Sequence, residues 1–298
     1  MSSRALDTFR MALVAYGQQH YDDAWRLAQQ AAQADPSNDV YSAAVVHLER
    51  TMQTGKPAVY GLPEAFGAFI RGGGNVHLYE NTSAALRRVY EQYRSLALLD
   101  VGVGSGLALV PALTPNVGRL DILEPSAAML AQASAALHAR GIAHRAINMT
   151  AQQFIQSGAG HYDVAQATYA LQALPPADRG HVLAGLRALA DRLLIAEFDV
   201  PEWASSHTGL ATPERVRYFV ERYARGLAEY ADDDDGLVVQ GFLMPIFFGA
   251  FDPTEARLNW EMPIAEWARL LREAGFDRVR SELIHDYWWA ASYLLDAT

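Results

Sequence analysis

A glycine-rich turn directly after an apolar run constrains this chain more than any other feature. The stretch LALLDVGVGSG (96–106) reads as a buried strand and then places glycines at 102, 104 and 106. Glycine permits tight turning and lets backbone N–H groups approach a ligand. In an open parallel sheet, the turn after the first strand is where a nucleotide approaches. The stretch therefore predicts a ligand-binding turn in an α/β fold.

The spacing of the glycines narrows the kind of ligand. A dinucleotide fingerprint is GxGxxG, whereas here the third glycine comes one residue early and Leu107 follows it. A phosphate-binding loop would need a lysine that is absent from this turn. Glu124 ends the next apolar run, where a carboxylate can accept hydrogen bonds from both ribose hydroxyls. The pattern predicts a nucleoside ligand without a pyrophosphate.

Short apolar runs alternate with helical patterns through the rest of the chain. The strands are predicted at 96–101, 119–124, 144–149, 162–168 and 192–198, and the helices between them at 107–113, 126–140, 150–157 and 176–191. The segments FDRVRSELIH and YWWAASYLL predict a closing β-hairpin at the sheet edge. We expect a doubly wound, mainly parallel seven-stranded sheet with an antiparallel last strand.

The motifs LLDVGVGSG and ILEPSAAML (122–130) resemble those of class I S-adenosylmethionine-dependent methyltransferases, a Rossmann-like family, over about residues 80–298. The resemblance implies S-adenosylmethionine as cofactor and S-adenosylhomocysteine as product. Its third motif differs, because MTAQQF (149–154) lacks the usual acidic residue. The cofactor-binding residues that the resemblance implies run from the amino-acid end through the ribose to the adenine and the fourth strand: Asp100, Gly102, Gly104, Gly106, Glu124, Pro125, Ser126, Thr150, Ala151, Gln152 and Thr168.

A long connection at about 201–262 carries an amphipathic helix (211–230) and the apolar segment GFLMPIFFGAF (241–251). Connections of this length usually have structure or function of their own. We expect this insertion to form a lid over a partly hydrophobic acceptor pocket; the alternative is an ordinary lid core. The candidate substrate-binding residues are Tyr79, Tyr169, Phe219, Tyr223, Phe247 and Phe248.

The first eighty residues predict a helical cap, and residues 81–298 the methyltransferase domain. The stretch YDDAWRLAQQAAQADPSN (21–38) weakly resembles the second helix of a tetratricopeptide repeat, and a plain helical hairpin is the alternative. RGGGN (71–75) predicts a flexible hinge before a helix at about 82–93. The N-terminal helices are a candidate homodimer interface.

An oxygen acceptor must lose a proton, and histidine is the side chain suited to accept one near neutral pH. His207 follows the fifth strand in a polar loop, and His77 lies in the cap; His285, at the end of the sixth strand, is a third candidate. We predict His207 first and His77 second as the catalytic base. The alternative is that an ionised or intrinsically nucleophilic acceptor needs positioning only.

Composition excludes several other functions. The formal net charge of -10 disfavours a nucleic-acid substrate, and no apolar run predicts a membrane span. The absence of cysteine favours a cytoplasmic location, and the run ADDDDG (231–236) is interpreted as a solvated turn, so no metal is predicted. We expect methyl transfer to an oxygen of a small natural-product acceptor. The alternatives are N- or C-methylation, or a non-methylating catalyst or scaffold that binds the cofactor.

Overall fold

The structure is a computed structural model that describes residues 3–58, 61–157, 160–205, 209–232 and 236–298. The chain divides into two compact units. The helical unit comprises Met1–Val76 and Glu202–Arg257, and the sheet unit comprises His77–Pro201 and Leu258–Thr298. The segment expected to be a lid insertion therefore clusters with the N-terminal helices.

The sheet unit contains the strands β1 (Leu96–Val101), β2 (Val117–Leu123), β3 (Arg145–Ile147), β4 (Tyr162–Thr168), β5 (Ala190–Phe198), β6 (Val279–Asp286) and β7 (Ala291–Ala297). They form a seven-stranded sheet of order β3-β2-β1-β4-β5-β7-β6. Strands β1 to β5 are parallel, and β7 runs antiparallel to both β5 and β6. This confirms the predicted doubly wound fold of class I methyltransferases.

Helices cover both faces of this sheet, which is why its central strands are apolar on both sides. On one face, Leu99 packs with Val182 and Trp267 of the flanking helices. On the other face, Leu98 packs with Leu86 and other helical side chains. The helices are α5 (Gly74–Tyr90), α6 (Leu109–Ala112), α7 (Ala127–Ala139), α8 (Ala151–Gln156), α9 (Pro176–Leu189) and α13 (Ile264–Glu273), with a 3-10 turn at Leu171–Ala173.

The helical unit is built from two segments of the chain. Ala24, Ala28 and Ala31 lie fully buried along one face of the helix Tyr21–Ala34, where small residues let helices approach closely. Among the described residues, no helix combines the length and apolarity that a membrane span requires. The helices are α1 (Ser3–Gly17), α2 (Tyr21–Ala34), α3 (Asp39–Thr54), α4 (Pro63–Ile70), α10 (Glu202–Ser205), α11 (Pro213–Ala228) and α12 (Met244–Gly249), with a π-helical turn at Val239–Leu243.

The glycine run at 72–74, expected as a flexible hinge, is a packed turn in the helical unit. A Cβ on Gly73 would lie 2.7 Å from the ring carbon Cζ of Tyr230. The backbone N–H of Gly74 donates to the Glu229 carboxylate at 2.8 Å. The buried Asn75 side chain donates to the carbonyl of Phe69 at 2.9 Å. These contacts explain why α5 begins at Gly74, well before the predicted start near Thr82.

Candidate cofactor site

The predicted cofactor residues converge at one edge of the sheet. Because β1 to β4 are parallel, their carboxyl ends lie at the same edge, and the strand order reverses between β1 and β4. Ligands of open α/β sheets bind at such a switch point. The turns that follow these four strands contain the glycines, Glu124, the third motif and Tyr169.

The three glycines after β1 serve different purposes. All three have positive φ, the left-handed region that favours glycine. A Cβ on Gly102 would lie 2.5 Å from the Ala170 Cβ, and one on Gly106 would lie 3.0 Å from the Val110 side chain. A Cβ on Gly104 would meet no protein atom within 4 Å. The protein itself therefore requires glycine at two positions, and at Gly104 it leaves open space beside the backbone.

Glu124 follows β2 and ties two turns together. Its Oε2 accepts the backbone N–H of Gly104 at 3.0 Å, and its Oε1 accepts the N–H of Ser126 at 2.9 Å. The residue is 7% exposed, so the carboxylate is held at the edge of the cradle and retains capacity for further donors. Asn148 secures the same turn, because its side-chain amide donates to the carbonyls of Glu124 and Pro125, both at 2.9 Å.

Asp100 lies one residue before the end of β1 and is fully buried. Its Oδ2 accepts the Gln166 amide at 2.7 Å, whereas its Oδ1 accepts no hydrogen bond from the described residues. Burial raises the pKa of Asp100 to about 7; the Gln166 hydrogen bond opposes this effect, and the charge of Glu124 adds to it. A buried carboxylate oxygen without a donor fits a positively charged ligand group.

The third motif forms the start of a helix. Thr150 caps α8 by accepting the backbone N–H of Gln153 at 3.2 Å, and the Gln153 side chain completes the capping box. Gln152 donates to Asp178 of α9 at 3.2 Å, and Ala151 packs partly against the core. Pro125 and Ser126 are exposed at the β2 exit, where Ser126 caps α7. Their contacts with adenine stay a prediction.

Tyr169 follows Thr168 at the end of β4 and is held from several sides. Its φ of 53° is unusual for a bulky residue, and such strain persists only where neighbours fix the residue. Its hydroxyl lies 2.8 Å from Thr82 Oγ1 and 2.7 Å from Ser292 Oγ. Thr82 donates to the Leu78 carbonyl, so Tyr169 donates to Thr82 and Ser292 donates to Tyr169. Burial raises the pKa of Tyr169 well above its usual value.

Aromatic rings form a row at this edge, next to Tyr169. The ring of Phe198, the last residue of β5, stacks on Tyr169 with centroids 4.8 Å apart, and Tyr287 after β6 stacks on Phe198 at 5.4 Å. Tyr79 meets Tyr169 edge to face at 6.0 Å, and burial raises the pKa of Tyr79 to about 12. Since β4, β5 and β6 all run in one direction, this aromatic row lies at the edge of the glycine turn.

The four predicted acceptor residues of the helical unit lie in a packed interior. Phe247 is fully buried and meets the rings of Phe219, Tyr223 and Phe248 at centroid distances of 5.9, 4.9 and 5.5 Å. Phe9 of α1 lies 5.9 Å from Phe247 in the same cluster. This packing favours the core interpretation of these residues, and their contact with an acceptor stays a prediction.

Of the histidines predicted as candidate bases, His77 and His285 lie within the described residues. His207 lies outside the described residues. The His77 side chain is 72% exposed and lies 3.2 Å from Glu80. His285 Nδ1 lies 3.3 Å from the Asn81 amide. Within the described parts of the chain no cluster of His, Asp and Glu could hold a metal ion, and residues 233–235 of the acidic run lie outside those parts.

Sequence reasoning did not identify Gln166, Asn148 or Phe198. Gln166 carries a signal in retrospect, because an amide in the centre of a strand buried on both faces needs partners for both of its polar atoms. Asn148 stands directly after β3, where a polar residue at a carboxyl end is typical of a binding edge. Phe198 is the last residue of an apolar strand, and nothing in the sequence distinguishes it from an ordinary core phenylalanine.

The residues at this edge fit the implied cofactor. The open space beside Gly104 accommodates a ligand against the backbone, and Glu124 offers carboxylate lone pairs for ribose hydroxyls. Asp100 offers an ammonium group an oxygen that has no hydrogen-bond partner among the described residues. Each group is held by backbone or side-chain contacts within the sheet unit. We therefore infer that Asp100, Gly104 and Glu124 hold the cofactor.

Comparisons with known proteins agree with this fold. Residues 98–191 match the model of a methyltransferase domain family. The structure of SCL7 from Oryza sativa is similar over 92% of this chain and 94% of its own, with 13% identity and a TM-score of 0.60. Magnesium protoporphyrin IX methyltransferase from Synechocystis PCC 6803, solved with S-adenosylhomocysteine, shares 16% identity over 75% of this chain and 83% of its own, with a TM-score of 0.49.

A third similar structure is the Burkholderia thailandensis 1,6-didemethyltoxoflavin-N1-methyltransferase, with 18% identity over 74% of this chain and 77% of its own and a TM-score of 0.48. By sequence, no curated protein matches the chain. The domain match runs from Leu98, within β1, to the start of β5 and includes the glycine turn, Glu124 and Tyr169. Residues 98–191 are therefore similar to a methyltransferase domain, and the sheet around them has the class I methyltransferase fold.

Proposed function

We propose that the chain transfers a methyl group to an oxygen of a small acceptor with a hydrophobic or aromatic part, as in natural-product biosynthesis. The observation that carries the proposal is the aromatic row of Tyr169, Phe198 and Tyr287 at the cofactor edge. Aromatic side chains favour flat or apolar ligands, and a few polar groups then fix the orientation. The Tyr169 hydroxyl, oriented by Thr82 and Ser292, is such a group.

The charge of the protein supports a small acceptor. A net charge of -10 repels the phosphates of nucleic acids, and Lys and Arg total 24 against 34 Asp and Glu. The absence of cysteine supports a reducing compartment, for which we propose the cytoplasm. The N-terminal helices stay our candidate for a homodimer interface, with solution scattering at several concentrations as the test.

The chain's own contribution to the reaction is orientation and desolvation. S-adenosylmethionine supplies an electrophilic methyl group on a sulfonium. The protein excludes water from the acceptor oxygen and directs a lone pair toward that methyl group. Our first candidate for the general base that removes the proton from the methyl acceptor is His207, and our second is His77. A methyl acceptor that is already ionised would need no base.

A labelling assay tests this function. The purified chain is incubated with methyl-labelled S-adenosylmethionine and a panel of phenols, carboxylic acids and amines, and S-adenosylhomocysteine release is measured alongside the labelled product. We expect release that depends on a phenolic or enolic acceptor, with the label in an O-methyl group. The matched control is Gly104→Val, which fills the space beside the glycine turn.

The assay also separates the alternatives. If the label appears in an N-methyl or C-methyl product, the acceptor atom is not oxygen, but the proposal of methyltransferase activity stands. Binding of S-adenosylhomocysteine without turnover on any acceptor class would favour a non-methylating protein that binds the cofactor.

A further inference from the structure

A chain of three buried side chains runs from α5 through the sheet to the cofactor edge. The hydroxyl of Tyr90, on α5, donates to Gln166 Oε1, and Gln166 Nε2 donates to Asp100 Oδ2 at 2.7 Å. Asp100 and Gln166 are register partners on the adjacent strands β1 and β4. All three residues are fully buried. Most polar groups at such buried positions are hydrogen-bonded, and an exception calls for an explanation.

We propose that Gln166 and Tyr90 are positioning residues that hold Asp100 ionised and oriented toward the amino group of the cofactor. The proposal rests on the assignment of Asp100 to the cofactor site. Gln166 fixes one carboxylate oxygen, and this leaves Oδ1 as the oxygen that has no donor within the described chain. A cofactor ammonium group would supply that donor.

The direction of each hydrogen bond gives Tyr90 its role. While Asp100 is ionised, the Gln166 amide nitrogen must face it, so Oε1 points away and needs a donor, which Tyr90 provides. Without that hydroxyl, Oε1 is unsatisfied in the ionised state. A protonated Asp100 could satisfy Oε1 after the amide rotates, so loss of Tyr90 favours the protonated form.

Within the described chain, Glu124 and Tyr90 are titratable groups whose charge acts on Asp100 or responds to it. Glu124, across the glycine turn, raises its pKa, and the neutral Tyr90 lies beyond Gln166. Because Glu124 is unchanged when Tyr90 or Gln166 is replaced, a change in the pH dependence of cofactor binding reports on the hydrogen-bonded chain. The alternative is that the three residues stabilise the fold only.

The structure provides a matched control at the other end of the sheet. The hydroxyl of Tyr162, also buried, donates to Asp121 Oδ2 at 2.6 Å. Tyr162→Phe removes a buried hydrogen bond from a tyrosine hydroxyl to Asp121. Tyr90→Phe likewise removes the buried hydrogen bond from a tyrosine hydroxyl to Gln166, which in turn binds Asp100. The two variants should lose similar stability, but only one of them acts on the cofactor edge.

The test is calorimetric titration with S-adenosylhomocysteine from pH 6 to 8.5 for the wild type, Tyr90→Phe, Gln166→Met and Tyr162→Phe. For Tyr90→Phe and Gln166→Met we expect the pH midpoint of binding to rise by about one unit, with roughly tenfold weaker binding at pH 7, as loss of a hydrogen bond to a charged group implies. Tyr162→Phe should leave the midpoint unchanged.

Asp100→Asn separates the two assumptions. If this variant binds S-adenosylhomocysteine like the wild type, the assignment of Asp100 to the cofactor is wrong. If it binds weakly while Tyr90→Phe and Gln166→Met keep the wild-type midpoint, the positioning role is overturned and the cofactor assignment stands. Thermal unfolding of each variant establishes that it is folded, and Tyr90→Phe alone suffices if Gln166→Met does not fold.

Discussion

Replacing Gly104 with alanine would test whether the open space at the glycine turn belongs to the cofactor. Gly104 has a φ of 56°, and a Cβ there meets no protein atom within 4 Å. Gly141, in the turn after α7, has a φ of 69° and equally open surroundings. Alanine in this backbone region costs about 1–2 kcal/mol at either position. The two substitutions are therefore matched in strain and differ only in where the methyl group lies.

The expected difference appears in binding. A methyl group forced into an occupied contact costs about 1–3 kcal/mol, which corresponds to a roughly 5- to 150-fold loss of affinity. Calorimetric titration with S-adenosylhomocysteine should show this loss for Gly104→Ala and wild-type affinity for Gly141→Ala. Urea unfolding should show similar destabilisation of the two. Wild-type affinity in Gly104→Ala would place the cofactor elsewhere and remove the reasoning built on this turn.

Three further substitutions probe other parts of the molecule. Glu124→Ala should weaken S-adenosylhomocysteine binding at least about tenfold, since hydrogen bonds to charged groups contribute about 1.5–3 kcal/mol. Asp121→Ala is its control: it removes the hydrogen-bond partner of Arg145 and Tyr162, so it should mainly lower thermal stability. In steady-state assays Phe198→Leu should raise the KM of an aromatic acceptor, and Phe247→Leu, in the core of the helical unit, should not; equal KM values would contradict the aromatic row. Burial lowers the pKa of His47 from 6.5 to about 4, so its folded form resists protonation and its contribution to stability is lost as the pH falls through that range. Between pH 7 and 4, the free energy of unfolding of the wild type should fall by about 3 kcal/mol relative to that of His47→Leu. Urea titrations at several pH values would measure this. If the difference in unfolding free energy between the two proteins did not change with pH, burial of His47 would not be the cause.

The sequence predicts the central strands well, because they are apolar on both faces and bounded by turns. β1 and β4 begin and end at the predicted residues. β3 is shorter than predicted, since it lies at the edge and pairs with β2 alone. The predicted helix at 107–113 shrinks to Leu109–Ala112, where Pro111 lacks a backbone N–H.

The candidate site is predictable only where its chemistry is local. The glycine turn and Glu124 are recognisable because each follows an apolar strand directly. The Tyr90–Gln166 hydrogen bond joins residues far apart in the chain, and only the packing of α5 on the sheet brings them together. The segment at 241–251 shows the opposite limit, because a pocket wall and a packed core have the same apolar composition, and Phe247 and Phe248 lie in a core.

The place of β7 between β5 and β6 has a consequence for how the chain is made. β5 pairs with β4 on one side and ends at Phe198, but its neighbour on the other side, β7, begins only at Ala291, after the whole of Glu202–Arg257 has been synthesised. Until then the backbone of β5 is an open sheet edge, the kind of surface to which other chains add as extra strands. Nascent chains stalled before β7 should therefore need chaperones more than the finished protein does.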